Sequence, residues 1–474
     1  MVFSSPVFLF LFLPLTLLLV LLFRGLKAQN TVLLLASLLF YAWGEQQYVL
    51  LMLAVALFNH GCALLLERTG RRQWVVVLAV VVDLACLIWF KYAGFLGEQL
   101  APLFRVLGVF QAPLDPIHLP IGVSFFIFHS LSYVLDVHRR TAPAQGSPGV
   151  TALYIAFFPQ LVAGPIIRYH DVAEQFTRRV VDLSGFAYGV RRFVVGLAKK
   201  VLVADLCARI ADPVFALPDA QLTAPVAWLG MVAYAVQIYF DFSGYSDMAI
   251  GLARMFGFRF IENFNRPYAA ASLREFWKRW HISLTNFFRD YLYIPLGGNR
   301  RGPVRTYLNL VIVFLLTGLW HGASWTFVVW GALHGFFMLL ERAGLGALLD
   351  RWPRIIGRVY MLLVVLMAWV FFRCDDITHA WRYVVVLFTP GHGVPRLVHP
   401  EYYLTTDAAI ALAVGVVGGL GLYDRFMHWC RSGPLQGREA LLADLRDVAL
   451  LLLFVFTAMA VATRTFDPFI YFRF

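Results

Sequence analysis

An all-α, polytopic integral membrane protein is the fold class this sequence predicts, and three observations carry the prediction. Hydrophobic residues make up 60% of the 474 and charged residues only 14%, with a mean hydropathy of +0.70; a soluble domain carries about 25% charged residues. Apolar runs recur at 7–23, 32–43, 48–66, 74–89, 311–319, 359–372 and 448–461, and several approach the ~20 residues that cross a bilayer. The polar connections, at 67–73, 139–149, 177–184, 301–305 and 431–446, are short. This pattern predicts about 10 to 13 transmembrane or re-entrant helices in one membrane domain over 1–474. Within it, 1–119 reads as scaffold spans, 120–335 as the candidate catalytic or transport core and 336–474 as C-terminal spans.

The first apolar run lacks a basic stretch before it, while Arg24 and Lys27 come after it. It is therefore expected to stay attached and not to act as a cleaved signal peptide. Forty Lys and Arg against twenty-eight Asp and Glu leave a net charge of +12. In a membrane protein that balance points to basic cytoplasmic loops, here around 67–72, 274–279 and 300–305. No basic, aromatic-interleaved module suggests nucleic-acid binding. The five cysteines, Cys62, Cys86, Cys207, Cys374 and Cys430, are scattered and read as reduced packing residues. Twelve histidines show no tight ligand spacing such as HExxH, so no metal site is expected.

The middle of the chain differs from its ends. Glycine, proline and charge interrupt it at Phe158-Pro159-Gln160, Ala163-Gly164-Pro165, the stretch from Asp241 to Asp247, and Asn263-Phe264-Asn265-Arg266-Pro267-Tyr268. Irregular backbone at membrane depth is tolerated only where protein buries it or a wet cavity lies beside it. Asp241 and Asp247, flanking a Ser-Gly kink, are expected to line a cavity or to pair with an arginine such as Arg168 or Arg266.

His321 lies in Thr317-Gly318-Leu319-Trp320-His321-Gly322, inside one of the most apolar stretches. An ionisable group there is costly and faces a cavity or a partner, and the two glycines let another backbone or a ligand approach. His334, in Leu333-His334-Gly335, lies further on in the same region. His129 reads as a hydrogen-bonded core histidine, and His60 and His428 as residues at span edges.

Ser272-Leu273-Arg274-Glu275 is a capping box that sets a helix start at Leu273. Continued to Tyr293 at roughly 100° per residue, such a helix aligns Arg274, Lys278, His281, Thr285 and Arg289 on one stripe. Phe276, Trp280, Leu284, Phe287 and Tyr291 fall opposite. One reading is an interfacial helix with its cations toward lipid phosphates. The other is a tunnel wall whose cations hold the phosphates of a nucleotide-like donor while His281 faces the reaction; His321 and the asparagine-arginine turn before Ser272 favour it.

These blocks resemble the membrane-bound O-acyltransferase family, in the bacterial branch that acetylates exopolysaccharides. The resemblance runs through Met1-Val2-Phe3-Ser4-Ser5, Pro159 to Ile166, Asp241 to Met248 and the ending Tyr471-Phe472-Arg473-Phe474. It is most specific at Phe276-Trp277-Lys278-Arg279-Trp280-His281-Ile282-Ser283-Leu284 and Gly318-Leu319-Trp320-His321-Gly322. It implies tilted helices around a central tunnel, and acyl transfer from a cytoplasmic donor toward an acceptor on the far side. The family's characteristic histidine falls on His321 and its second polar position on His281. Many relatives carry asparagine or aspartate at the second position; histidine agrees with the bacterial polysaccharide and D-alanyl branch.

Acyl transfer needs a base for the acceptor hydroxyl and a group that steadies the developing oxyanion. His321 is the expected base. His281 is expected to orient the thioester carbonyl or donate a hydrogen bond to it. Arg274, Lys278 and Arg289 are candidate phosphate contacts, with Trp320, Thr285 and Asn265 as further candidate substrate contacts. A covalent acetyl-histidine route stays open. Acetyl-CoA is the expected donor, with no bound cofactor. The resemblance implies a bacterial inner membrane, a periplasmic acetyltransferase partner and an exopolysaccharide, with alginate first, as final acceptor. Acetylation of cellulose or another polymer, D-alanyl transfer to teichoic acid, and polytopic transport are the alternatives.

Overall fold

The computed structural model describes residues 1–108, 117–393, 398–422, 432, 439–463 and 469–470, with backbone alone for 439–443. Cys430, His428 and the Tyr471-Phe472-Arg473-Phe474 ending lie outside the described residues. Among the described residues every regular element is a helix. Seven helices among the described residues are long and apolar enough to cross a membrane: Tyr48–Arg68, Gln73–Val106, Ala224–Met255, Pro303–His321, Trp325–Arg351, Arg354–Arg373 and Asp444–Thr463. Phe8–Leu22 and Thr406–Gly419 are apolar but shorter. Large apolar side chains such as Leu50, Leu57, Val81, Leu452 and Phe456 are exposed on these helices, as a hydrocarbon solvent allows. The protein is a multi-pass, all-helical membrane protein.

The described chain divides into two units, Met1–Val190 with Ala249–Ile261, and Arg191–Met248 with Glu262–Phe474. In the first, Phe3, Phe8, Phe12, Phe40 and Phe158 form a buried aromatic nest, with the Phe3 and Phe40 rings 5.7 Å apart. Asp83 is buried in its helix and accepts a hydrogen bond from Asn59 Nδ2 at 2.9 Å. His60 lies midway along Tyr48–Arg68, with Nδ1 3.0 Å from the Thr151 hydroxyl. It is an interior residue, which corrects the span-edge expectation.

His129 is fully buried, yet neither ring nitrogen has a hydrogen-bond partner among the described residues. The expectation of a hydrogen-bonded core histidine fails for a visible reason. Its ring neighbour is Tyr154, whose hydroxyl is already shared with Ser132 at 2.7 Å and the Ile167 carbonyl at 2.8 Å. The irregular stretch at 157–168 is present as expected. Side chains satisfy part of it: Tyr154 bonds Ile167, and Gln160 Nε2 donates to the Tyr154 carbonyl at 2.5 Å.

In the second unit the expected Ser-Gly kink is absent. Ala224–Met255 is one continuous helix through Asp241, Ser243, Gly244 and Asp247. Both carboxylates find cations, but not Arg168, which pairs with Asp171, and not Arg266. Asp241 bonds Lys200 at 2.8 Å and accepts from the Ile470 amide at 2.7 Å. Asp247 bonds Lys199 at 2.6 Å and Arg192 Nε at 2.8 Å. Gly196 and Gly244 permit this pairing by bringing two backbones together: a Cβ on Gly196 would sit 2.5 Å from the Gly244 oxygen. Paired charges need no break in the helix.

Gly196→Ala is therefore expected to cost about 1–3 kcal/mol, the overpacking range, and to lower the unfolding midpoint in detergent. Gly61→Ala is the control, because a Cβ there meets nothing within 4 Å. Equal midpoints for the two variants would refute the close crossing.

Candidate active site

The Pro303–His321 helix is tied to Trp325–Leu340 at two glycines. A Cβ on Gly318 would strike the Phe327 carbonyl oxygen, and one on Gly331 the Phe314 carbonyl oxygen. Gly318, three positions before His321, thus serves the approach of a neighbouring backbone. His321 is the last residue of its helix; Gly322 is extended, and Ser324 Oγ caps the next helix by accepting from the Thr326 amide at 3.3 Å. This tight reversal leaves the His321 ring buried against Trp320, Trp330 and Phe372, at centroid distances of 4.9, 5.0 and 5.1 Å.

The second histidine segment starts where the capping box places it. Ser272 Oγ accepts from the Glu275 amide at 3.1 Å, and Glu275 accepts from the Ala271 amide at 2.8 Å. Buried Glu341 adds a second cap, accepting from the Leu273 amide at 2.6 Å and the Arg274 amide at 3.1 Å. A carboxylate at a helix N-terminus meets unpaired N–H groups and the positive end of the dipole.

The helix does not run unbroken to Tyr293 as expected. Leu273–Trp277 ends after five residues, Ile282–Phe288 begins anew, and a π-helical turn covers Arg289–Tyr293. His281 stands at the break with φ 43° and ψ 54°, in the left-handed region. The 263–265 segment takes up the freed backbone: Ile282 N–H donates to the Asn263 carbonyl at 2.9 Å, and Asn265 N–H to the Arg279 carbonyl at 2.9 Å. Tertiary hydrogen bonds replace helical ones, so the cationic stripe does not form.

At this break the His281 side chain is fully buried. Its Nδ1 faces Asn263 Oδ1 at 3.2 Å and Ser283 Oγ at 3.4 Å. Phe242 packs edge-on to the ring at 4.6 Å, and the Trp320 ring lies 6.1 Å away. Trp320 therefore neighbours both imidazoles, which are forty positions apart in sequence. His334 lies farther along the same aromatic cluster, 4.9 Å from Trp330 and 5.1 Å from Trp277.

A buried cluster holding three histidines, His281, His321 and His334, enclosed by indole and phenyl rings, suits proton transfer shielded from water. The model of the membrane-bound O-acyltransferase family matches residues 35–379. The chain belongs to that family. It is 42% identical to the "Probable alginate O-acetylase" of Azotobacter vinelandii, with both chains covered in full. The "Peptidoglycan O-acetyltransferase" of Helicobacter pylori is 35% identical over 81% of this chain and 79% of its own. The "Teichoic acid D-alanyltransferase" of Bacillus subtilis is 24% identical over 52% of this chain and 67% of its own. This member of the family is thus a membrane-embedded acyltransferase.

The other candidate residues scatter around this centre. Arg274 and Lys278 are exposed, and Arg289 is engaged by the neighbouring Asp290 at 2.7 and 3.0 Å. Thr285 donates to the Trp277 carbonyl at 3.3 Å, and the Asn265 side chain is exposed. Asn263, two positions before Asn265, is the asparagine that reaches His281. Sequence reasoning passed over Asn263, Ser283 and Glu341 because their partners lie in other segments; the one local signal was Asn263 within the irregular asparagine-rich turn.

Glu341→Ala removes the acceptor of two buried amides. A loss of about 1–3 kcal/mol is expected from leaving them unsatisfied, read as a lower unfolding midpoint in detergent. Ser272→Ala is expected to cost less, about 1 kcal/mol. The reverse ranking would show that Glu341 does not carry the cap.

Proposed function

We propose that this protein is a bacterial inner-membrane O-acetyltransferase that moves acetyl groups from cytoplasmic acetyl-CoA toward an exopolysaccharide, alginate. The observation that carries the reading is the placement of His281 and His321 beside the same buried Trp320 ring. The full-length likeness to a protein named an alginate O-acetylase supports both the polymer and acetyl as the acyl group.

In this reading neutral His321 takes the proton of an acceptor hydroxyl as its oxygen attacks the thioester carbonyl. The tetrahedral oxyanion collapses, the C–S bond breaks, and the imidazolium returns the proton to the leaving thiolate. His281 fixes the orientation of the reacting groups. The surrounding rings exclude water, which limits hydrolysis of the thioester. Arg274 and Lys278, exposed near the start of this segment, are the cations offered to the donor's phosphates. A periplasmic acetyltransferase receives the acetyl group and places it on the polymer.

His321→Ala, inserted and folded, is expected to lower acetyl transfer by at least ~10²-fold, the low end for loss of a general base. Polymer acetylation in cells and labelled acetyl release in detergent are the measurements. Full activity in that variant would overturn the assignment. Purified protein acetylating polymer at the cellular rate without a partner would overturn the hand-off.

A further inference from the structure

The Asn263 side chain has a fixed orientation, and the fixing group is a backbone amide. Ser283 N–H, which can only donate, lies 3.2 Å from Asn263 Oδ1, and the Ser283 hydroxyl donates to the same oxygen at 2.9 Å. On the other side, Asn263 Nδ2 donates to Ser246 Oγ at 3.0 Å. Exchanging the amide oxygen and nitrogen would set N–H against N–H at Ser283. The oxygen therefore faces Ser283 and, at 3.2 Å, His281 Nδ1.

A carbonyl oxygen only accepts. The Ser283 hydroxyl has already given its proton to Asn263, so at 3.4 Å it too presents lone pairs to His281 Nδ1. A bare Nδ1 would face two oxygen atoms, lone pair to lone pair. Attraction requires the proton on Nδ1, and in neutral imidazole that leaves Nε2 bare. His281 Nε2 is buried and has no hydrogen-bond partner among the described residues. An unmet buried acceptor is costly, and a left-handed non-glycine backbone adds strain. Both are features expected of a site that awaits a ligand.

We infer that Asn263, assisted by Ser283, is a positioning residue that locks His281 as the Nδ1–H tautomer, so that Nε2 accepts a hydrogen bond from an O–H or N–H group of a substrate. The inference deepens the proposed function and rests on His281 belonging to that site. It selects between two ways in which His281 can orient substrate: as neutral imidazole it accepts at Nε2 and does not donate there. The donor group is either a hydroxyl of the acceptor other than the one that reacts, whose proton goes to His321, or an amide of the pantetheine arm.

Solid-state ¹⁵N NMR of the full-length, ¹⁵N-histidine-labelled protein reads the tautomer directly, with His281 assigned by difference against His281→Gln. The Nδ1–H form is expected in the unaltered protein, and an Nε2–H signal there overturns the proposal whether or not the protein transfers acetyl groups. Asn263→Leu is expected to shift the tautomer and lower transfer by about 10²-fold. Asn263→Asp, which keeps an acceptor oxygen, is expected to restore the Nδ1–H signal and most of the rate. Ser283→Ala, a milder change, gives a smaller shift in the same direction. A fall in kcat at constant KM for acetyl-CoA assigns the bond to the acceptor, and a raised KM assigns it to the donor. Unchanged tautomer and rate in Asn263→Leu would overturn the lock. The correct tautomer in a protein with no acetyl transfer would leave the lock standing and sink the proposed function.

Discussion

A polar group buried in a chain whose outside is hydrocarbon has no bulk water to satisfy it, so its partner must come from the protein. That constraint organises the second unit. Asp241 and Asp247 keep the Ala224–Met255 helix intact because Lys199, Lys200 and Arg192 come to them. Glycines at 196 and 244 bring the two backbones close enough for short ion pairs. The amides freed at the start of the His281 segment are met by Ser272 and Glu341. At its break the Ile282 amide and the Arg279 carbonyl are met by the backbone of 263–265. Each irregularity persists because another segment answers it.

The same rule explains what was legible in the sequence. Apolar runs, the capping box at Ser272 and the two histidine motifs depend on neighbours along the chain, and all three appear in the structure. The kink expected at Ser243-Gly244 does not appear, because whether a helix tolerates two carboxylates depends on cations, Arg192, Lys199 and Lys200, in an earlier helical segment. The stripe of Arg274, Lys278, His281, Thr285 and Arg289 assumed one helix, since periodicity carries no information about a break made by tertiary hydrogen bonds. Asn263 was hidden for the same reason: its role is set by Ser246, His281 and Ser283, and only the folded chain brings the four together.

The two histidines are held by different physical means, and the difference bears on their chemistry. His321 closes a regular helix whose position is fixed by glycine contacts with the next helix, and aromatic rings surround it. His281 sits in a strained backbone position, with one ring nitrogen committed to an oxygen that a backbone amide has oriented. Packing of the first kind places a ring; hydrogen bonding of the second kind also decides where its proton resides. The proposed roles of His321 as base and His281 as orienting group would call for these separate controls, because a base must gain and lose a proton each turnover while an orienting group must keep its own.

The break at His281 then has a reason beyond local packing. In a continuous helix, Ile282 N–H would be directed to the carbonyl four residues back. Here it bonds the Asn263 carbonyl, so the backbone and the side chain of one asparagine both act on this turn. Holding His281 in the left-handed region costs about 1–3 kcal/mol, offset by the hydrogen bonds that Asn263 makes with Ile282 and Ser283. The arrangement couples the position of the imidazole to its protonation: displacing the 263–265 segment would release the turn and free the tautomer together. A straight helix would present His281 among its cations but could not supply that coupling.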